Sequence, residues 1–176
     1  MNGRTVLAAS VATAVVVAWA FAAEVLAPSA VSMPEGNELC MSSRNSDDYL
    51  VSVDFTNDGR KPVILTGARA DSLDGIQLLE TFVVSPEFGS GFGAVSYTRE
   101  AIDDWSLTDV AGTEVDPGER AQVVYRLKST SGGGLATDFA VTFTDRYGLS
   151  HSASSPFAAG FYSGEPQSDV EIPCGI

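Results

Sequence analysis

Alternating hydrophobic and polar residues dominate much of this chain. In Tyr49 to Thr56, residues such as Val51 and Phe55 fall on one face of an extended backbone, and residues such as Ser52 and Asp54 fall on the other. A period of two is what a half-buried β-strand requires. Further strands are predicted at Pro62–Ala70, Ile76–Val84, Glu119–Lys128, Phe139–Thr144 and Leu149–Ser154, the last being polar and typical of an edge strand.

Turn signals separate these strands at a spacing of roughly ten residues, which is typical of a β-sandwich. Asn57-Asp58-Gly59 and Ser72 to Gly75 are two of these predicted turns. Beyond the N-terminal region no second long helix is indicated. The fold class predicted is therefore all-β, a sandwich of two sheets.

Two stretches resemble the immunoglobulin-like modules of exported bacterial proteins. One is Val53 to Gly59 followed by Lys61-Pro62-Val63, and the other is Asp116-Pro117-Gly118-Glu119 before an alternating strand. The resemblance covers about Tyr49 to Ser154 and implies an immunoglobulin-like β-sandwich. These motifs specify turns, so the resemblance bears on fold and says little about function. A core Cys–Trp–Cys arrangement of the antibody type is missing.

A charge-free apolar run, Val6 to Ala23, precedes the strands. Arg4 lies before it and acidic residues follow it, so the N-terminus is expected inside the cell and the remainder outside. The run approaches the length of about 20 residues that a membrane-spanning helix needs. Ala20-Phe21-Ala22 would also serve as a signal-peptidase site. One N-terminal hydrophobic helix is predicted, either a transmembrane anchor or a cleaved signal, and the anchor is favoured.

These patterns divide the chain into three parts. Residues 1–27 form the anchor or signal peptide, and residues 28–48, rich in Pro, Ser, Gly and Glu, form a linker. Residues 49–176 form the immunoglobulin-like β-sandwich domain. The domain is expected at the cell membrane on the extracytoplasmic side, or in the medium if the leader is removed.

The formal net charge of −13 makes the chain strongly acidic. Nucleic acids and anionic lipid headgroups select basic surfaces, so the charge argues against both as partners. An acidic exported domain is compatible with simple solubility, with a basic protein partner, or with cations.

The two cysteines, Cys40 and Cys174, bracket the predicted domain. In an exported protein an even pair of this kind is expected to form a disulfide. In the chain-entropy model, a disulfide that closes a loop of that length would add on the order of 5 kcal/mol to the free energy of unfolding. A reactive or metal-binding pair is the alternative, although the chain has no CxxC motif and one histidine.

Catalytic motifs are weak. Gly89-Ser90-Gly91-Phe92-Gly93 matches neither a dinucleotide-binding loop nor a nucleophile elbow, and no helical pattern follows it. The one histidine, His151, shares a short polar strand with Ser150 and Ser152, which is the wrong arrangement for a serine triad. The expectation is that the chain is not an enzyme and uses no cofactor.

Acidic residues in turn-like segments are candidates for calcium binding, because calcium takes several carboxylate and carbonyl oxygens. They are Asp71 with Asp74, and Asp103 with Asp104 and Asp109. Neither group follows the EF-hand pattern, and Asp is common in turns for backbone reasons. The same carboxylates could serve an exported hydrolase of unrecognised type.

Aromatic residues in segments rich in Gly, Pro and Ser are candidates for binding a protein partner. They are Phe88, Phe92, Phe157, Phe161 and Tyr162. The alternative is that they fold back and close the ends of the sandwich. The function predicted is a non-catalytic extracytoplasmic binding domain, an accessory component of a membrane or cell-envelope assembly. A secreted ligand-binding or adhesion module, with or without calcium, is the rival.

Overall fold

The computed structural model describes residues 31–33, 38–42, 46–84, 93–98, 105, 107–130 and 133–162. All of them belong to one compact unit that begins at Val31. The predicted N-terminal helix, Phe88, Phe92, Asp103, Asp104 and Cys174 lie outside the described residues.

Eleven strands make up the secondary structure of the described part. They are β1 (Val31–Ser32), β2 (Glu38–Ser42), β3 (Asp48–Asn57), β4 (Val63–Asp74), β5 (Ile76–Val84), β6 (Ala94–Ser96), β7 (Leu107–Asp109), β8 (Glu114–Val115), β9 (Arg120–Ser129), β10 (Gly134–Thr144) and β11 (Ser150–Tyr162). No helix long and apolar enough to cross a membrane occurs among the described residues.

The strands form two sheets. The first has the order β1-β3-β9-β5-β7. β6 pairs with the start of β3, along the same edge of β3 that pairs with β1 near its end. The second has the order β2-β11-β10-β4-β8. All these pairings are antiparallel except that of β2 with β11, which is parallel.

This strand order is the immunoglobulin arrangement. In chain order, β1, β3, β5 and β9 take the places of strands A, B, D and E in the ABED sheet, and β4, β10 and β11 take those of C, F and G. The short strands β6, β7 and β8 are inserted between D and E. The predicted all-β, immunoglobulin-like sandwich is confirmed in its general form.

One apolar core fills the space between the sheets. Its largest fully buried side chains include Tyr125, Phe55, Phe139 and Phe143. The Tyr125 and Phe139 rings meet edge to face with centroids 4.8 Å apart. Burial raises the pKa of the Tyr125 hydroxyl, which donates a hydrogen bond to the Ala140 carbonyl at 3.1 Å.

Asn57 joins the two motifs that carried the immunoglobulin resemblance. Its side-chain amide donates to the carbonyls of Lys61 and Val115, each at 2.9 Å, and its Oδ1 accepts the Gly59 N–H at 3.0 Å. Its backbone carbonyl accepts the Gly118 N–H at 2.7 Å. Asn57 is fully buried. It therefore ties the turn after β3 to the connection between β8 and β9.

The Asp116–Glu119 motif supplies the second half of this junction. Pro117 precedes Gly118, whose φ of 76° is the left-handed value that the third position of a type II turn demands. The Glu119 side chain accepts the Asp116 N–H at 2.8 Å, and the Glu119 N–H donates to the Asp116 carbonyl at 3.0 Å.

Part of the predicted linker at residues 28–48 is strand. β1 pairs with the end of β3, and β2 runs beside β11, so these residues belong to the sandwich. The linker prediction is wrong for them because short strands without apolar periodicity are specified by the sheet edges they meet, and a local pattern cannot show those.

Two further expectations are corrected. β4 continues through Ser72 to Asp74, and the chain turns at Gly75, with φ 65°, into the other sheet. The polar edge strand predicted at Leu149–Ser154 begins one residue later, at Ser150, extends to Tyr162, and pairs with β2 over its last five residues.

Cys40 lies in β2, and no free cysteine occurs among the described residues. Its expected partner, Cys174, falls outside them. The Cys40–Cys174 disulfide stays a prediction.

Candidate functional site

The predicted aromatic anchors that the structure describes lie in β11, where they pack within the domain. Phe161 is buried and meets the Tyr49 ring edge to face at 5.4 Å. Phe157 is half-buried and meets Phe139 in the same way at 5.4 Å. The prediction of an exposed anchor is therefore wrong for Phe161, because the strand continues beyond Ser154 and turns this residue into the core. Tyr162 is half-buried at the end of β11.

The acidic candidates do not form a metal site in the described part of the chain. Asp109 lies on the exposed edge strand β7, and Asp71 forms an ion pair with Arg69 at 2.5 Å. Among the described residues, no group of three potential ligands is close enough to hold a metal ion. Asp103 and Asp104 lie outside the described residues, so calcium binding by them stays untested.

His151 lies beside a carboxylate. Its Nε2 is 3.1 Å from Asp145 Oδ2, and its ring stacks on Phe143 with centroids 5.4 Å apart. The other Asp145 oxygen accepts the backbone N–H groups of Tyr147 and Leu149, at 2.8 and 2.9 Å. The pair thus shapes the turn between β10 and β11. The hydrogen bonds of the described residues place no hydroxyl group against His151, as a triad would require.

The pKa of Asp145 is set by opposing effects. Desolvation by the surrounding protein raises it, but the hydrogen bonds from His151 and from the Leu149 and Tyr147 amides lower it more, so the net pKa lies below its usual value. A depressed carboxyl pKa contributes stability above the unfolded-state pKa of about 4, and this contribution is lost as the pH falls through the folded-state pKa.

We therefore expect the Asp145→Asn variant to be less stable than the native chain at pH 7, because it keeps an acceptor for the amides but loses the charge. Urea unfolding from pH 7 to pH 2 should show this difference shrinking below about pH 4. The Asp145→Ala variant, which also loses the acceptor, should be the less stable of the two throughout. A stability difference between Asp145→Asn and the native chain that stays constant down to pH 2 would contradict this assignment.

A second apolar cluster lies on the outer face of the first sheet. In β3 and β9, the residues Val51, Val53, Val123 and Tyr125 point into the core, so the intervening Leu50 and Val124 point outward. Both are nevertheless fully buried. We call this cluster the outer-face patch: Leu50, Val84 and Val124, with the partly buried Phe82, Val95, Tyr97, Trp105 and Leu107 around them.

The register of three strands places this patch. Leu50 of β3 pairs with Arg126 of β9, and Arg126 also pairs with Glu80 of β5. In the next row that faces the same side, Val124 of β9 pairs with Ser52 of β3 and with Phe82 of β5. Val95 of β6 pairs with Leu50 from the other side. Side chains of directly paired residues share a face, so β6 extends the patch beyond the edge of β3.

Arg126 fixes one border of the patch. Its guanidinium donates to Asp48 Oδ2 at 2.8 Å and to Glu80 Oε2 at 2.7 Å, and it lies 3.5 Å from the centre of the Tyr97 ring. Hydrogen bonding to Asp48 and Glu80 outweighs desolvation and raises the pKa of Arg126, so it stays charged. The Tyr97 ring is thereby held on a fixed cation, which orients it at the surface.

A polar border lies on the same face. Gln122 donates to the Ser52 hydroxyl at 3.2 Å and to Asp54 at 3.3 Å, and Arg120 forms an ion pair with Asp54. Half-exposed aromatic rings beside an ordered polar border resemble the make-up of protein-binding surfaces, where Trp, Tyr and Arg contribute most.

Sequence reasoning missed this patch because alternation assigns outward positions to solvent. The available signal was the exception to alternation: Leu50 and Val124 are apolar at outward positions of otherwise regular strands. Tyr97 and Trp105 lie in an irregular region, and nothing local shows that they meet these two residues.

No protein-family model matches the chain. No curated protein matches it. Among solved structures, the PapD-like domain 7 of human CEP192 is 8% identical, with 79% of this chain and 88% of that chain covered and a TM-score of 0.38. The secreted serine protease VesC from Vibrio cholerae is 13% identical over 75% of this chain, with a TM-score of 0.36, and the alignment spans 23% of VesC.

The CupB6 tip adhesin from Pseudomonas aeruginosa is 11% identical, with 77% of this chain and 42% of that chain covered and a TM-score of 0.26. Similarities this distant support no inference about activity or partner. The strand order itself identifies the immunoglobulin-like topology.

Proposed function

We propose that this chain is a non-catalytic binding domain on the extracytoplasmic side of a membrane, tethered by its N-terminal apolar run, and an accessory component of a membrane or cell-envelope assembly. In this proposal the outer-face patch contacts the protein partner. The predicted aromatic loop residues Phe88 and Phe92 follow β5 directly, so they belong to the connection between two strands that contribute to the patch.

The observation that carries the proposal is the second apolar cluster on the outside of a complete sandwich. The inter-sheet core already provides the domain with a contiguous apolar interior. The outer-face patch adds Phe82, Tyr97 and Trp105, each only partly buried. Large aromatic side chains that are half-covered in the isolated domain gain further burial when a partner covers them.

The charge of the chain favours a particular kind of partner surface. The formal net charge is −13, and the carboxylates Asp48 and Glu80 beside the patch share one ion-pair partner, Arg126, whose single positive charge offsets only one of them. The surrounding acidic surface would speed association with a basic partner and disfavour acidic ones. The partner surface is therefore proposed to be apolar at its centre and basic at its border.

The test is purification of the tagged full chain from its native membrane in mild detergent, followed by mass spectrometry of the co-eluting proteins. We expect a stoichiometric partner that the Trp105→Ala variant loses. An aromatic hot spot contributes about 2 kcal/mol or more, which corresponds to roughly a thirtyfold loss of affinity.

The Leu73→Ala variant is the matched control, since Leu73 is 40% exposed on the other sheet and should leave the partner bound. Thermal melts establish that both variants are folded. A chain that elutes alone, or one found only in the medium without its leader, would show that the accessory role is wrong.

A further inference from the structure

Three of the four large apolar side chains that are exposed in the described part of the chain lie at one end of the sandwich. Four such residues occur in the described part of the chain: Ile64, Leu73, Tyr147 and Leu149, at 45%, 40%, 41% and 44% exposure. Ile64 pairs with Thr144, which pairs with Ser150, so Ile64 and Leu149 lie about two strand spacings apart, roughly 10 Å. Tyr147 lies in the turn that connects Thr144 to Ser150. Leu73 lies at the opposite end of β4.

The chain also enters the sandwich at this end, through β1. Val31, the first residue of β1, pairs with Asn57 at the end of β3. Asn57 is followed by the connection 58–62, and that connection leads directly into Val63 and Ile64. We call this end, with Val31, Asn57, Ile64 and the turn 145–149, the Val31 end.

Chain length limits how far the Val31 end can lie from the apolar run. Seven residues lie between Ala23 and Val31, and the eight Cα–Cα steps from Ala23 to Val31 span at most about 26–29 Å when fully extended. The twelve-residue strand β4 alone is roughly 40 Å long. If the run is held in a membrane, the Val31 end therefore stays within about 29 Å of the end of the run, whereas the opposite end of β4 can lie farther away.

Hydrogen bonds to Asp145 fix the conformation of the turn 145–149. Asp145 accepts the Tyr147 and Leu149 amides, and the Gly148 N–H donates to the Asp145 carbonyl at 2.9 Å, with Gly148 at a φ of 76°. The Arg146 guanidinium lies 4.4 Å from the centre of the Tyr147 ring. Tyrosine prefers the membrane–water interface, and arginine can keep its charge among headgroups while its stem lies on apolar groups.

We propose that the turn 145–149, together with Ile64, rests in the headgroup region of the membrane that holds the N-terminal run. This inference depends on the proposed tether and adds a second, non-covalent contact to it. Tyr147 and Leu149 supply apolar contact, and Arg146 interacts with lipid phosphate. The domain would then stand with a fixed end toward the bilayer, leaving the outer-face patch available at its side.

The experiment uses the full chain reconstituted in phosphatidylcholine vesicles that contain a nitroxide-labelled phosphatidylcholine. Two variants, Leu149→Cys and Leu73→Cys, carry an environment-sensitive fluorophore at positions of nearly equal exposure, 44% and 40%. The native chain, treated with the same reagent, measures any labelling of Cys40 and Cys174. We expect a blue shift and nitroxide quenching at position 149, and neither at position 73.

The outcomes separate the two proposals. A chain that floats with the vesicles but shows equal, low quenching at both positions overturns the membrane contact and leaves the tether standing. A chain that does not float with the vesicles overturns both. Quenching at position 149 that the additional change Tyr147→Ser reduces, with an unchanged melting temperature, supports the contact.

Discussion

The Asn57→Ala variant is expected to unfold about 10 °C below the native domain. The substitution leaves two carbonyls and one N–H, those of Lys61, Val115 and Gly59, without their partner in a partly buried junction. Each unsatisfied buried group costs about 1–3 kcal/mol, and partial entry of water reduces the sum to about 3–4 kcal/mol. Thermal unfolding followed by circular dichroism measures the difference.

The Asn57→Asp variant tests the direction of these hydrogen bonds. It has the same shape, but it places a carboxylate oxygen against the Lys61 and Val115 carbonyls, so we expect it to be at least as unstable as Asn57→Ala. The exposed neighbour provides the control, since Asp58→Ala should change the melting temperature little. If Asn57→Asp and Asn57→Ala both melted with the native chain, Asn57 would not hold the two loops together.

The Phe139→Ala variant is expected to lose about 3–5 kcal/mol of unfolding free energy. Phe139 is fully buried, and its ring meets both Tyr125 and Phe157 edge to face, at centroid distances of 4.8 and 5.4 Å. The substitution opens a cavity between the sheets that these rings cannot fill without leaving their positions. Urea unfolding gives the free energy, and an unchanged slope with denaturant shows that the transition remains two-state.

Two further variants rank the aromatic residues. Phe157→Ala should lower the free energy of unfolding clearly less than Phe139→Ala does, because Phe157 is only half-buried. Tyr147→Ala should lower it little, because Tyr147 is 41% exposed. Equal losses for Phe139→Ala and Tyr147→Ala would contradict the described core. This ranking tests whether Phe139 lies in the core, Phe157 packs partly against it and Tyr147 lies at the surface.

The candidate site shows where local reasoning stops. Leu50 and Val124 were visible as apolar exceptions at outward positions, but Tyr97 and Trp105 reach them from an inserted region with no periodicity. The Arg126 contacts join β3, β9 and β5, residues separated by 46 and 78 positions along the chain. Such contacts follow from register, and register is a property of paired strands.

The sequence by itself determined the fold class and most of the long strands. Period-two alternation in Tyr49–Thr56 and Glu119–Lys128 depends only on which residues lose water on folding, so it is readable locally. The turns at Asn57-Asp58-Gly59 and Asp116–Glu119 were readable for a related reason, because backbone conformation there is restricted by residue type.

Only the tertiary structure decided the rest. It placed Phe161 in the core, put β2 beside β11, and brought Asn57 into contact with Val115 across 58 positions of chain. It also gathered Ile64, Tyr147 and Leu149 at the end where Val31 enters the sandwich. These features depend on which strands are neighbours, and the energies that select neighbours come from contacts between distant residues, so no local pattern contains them.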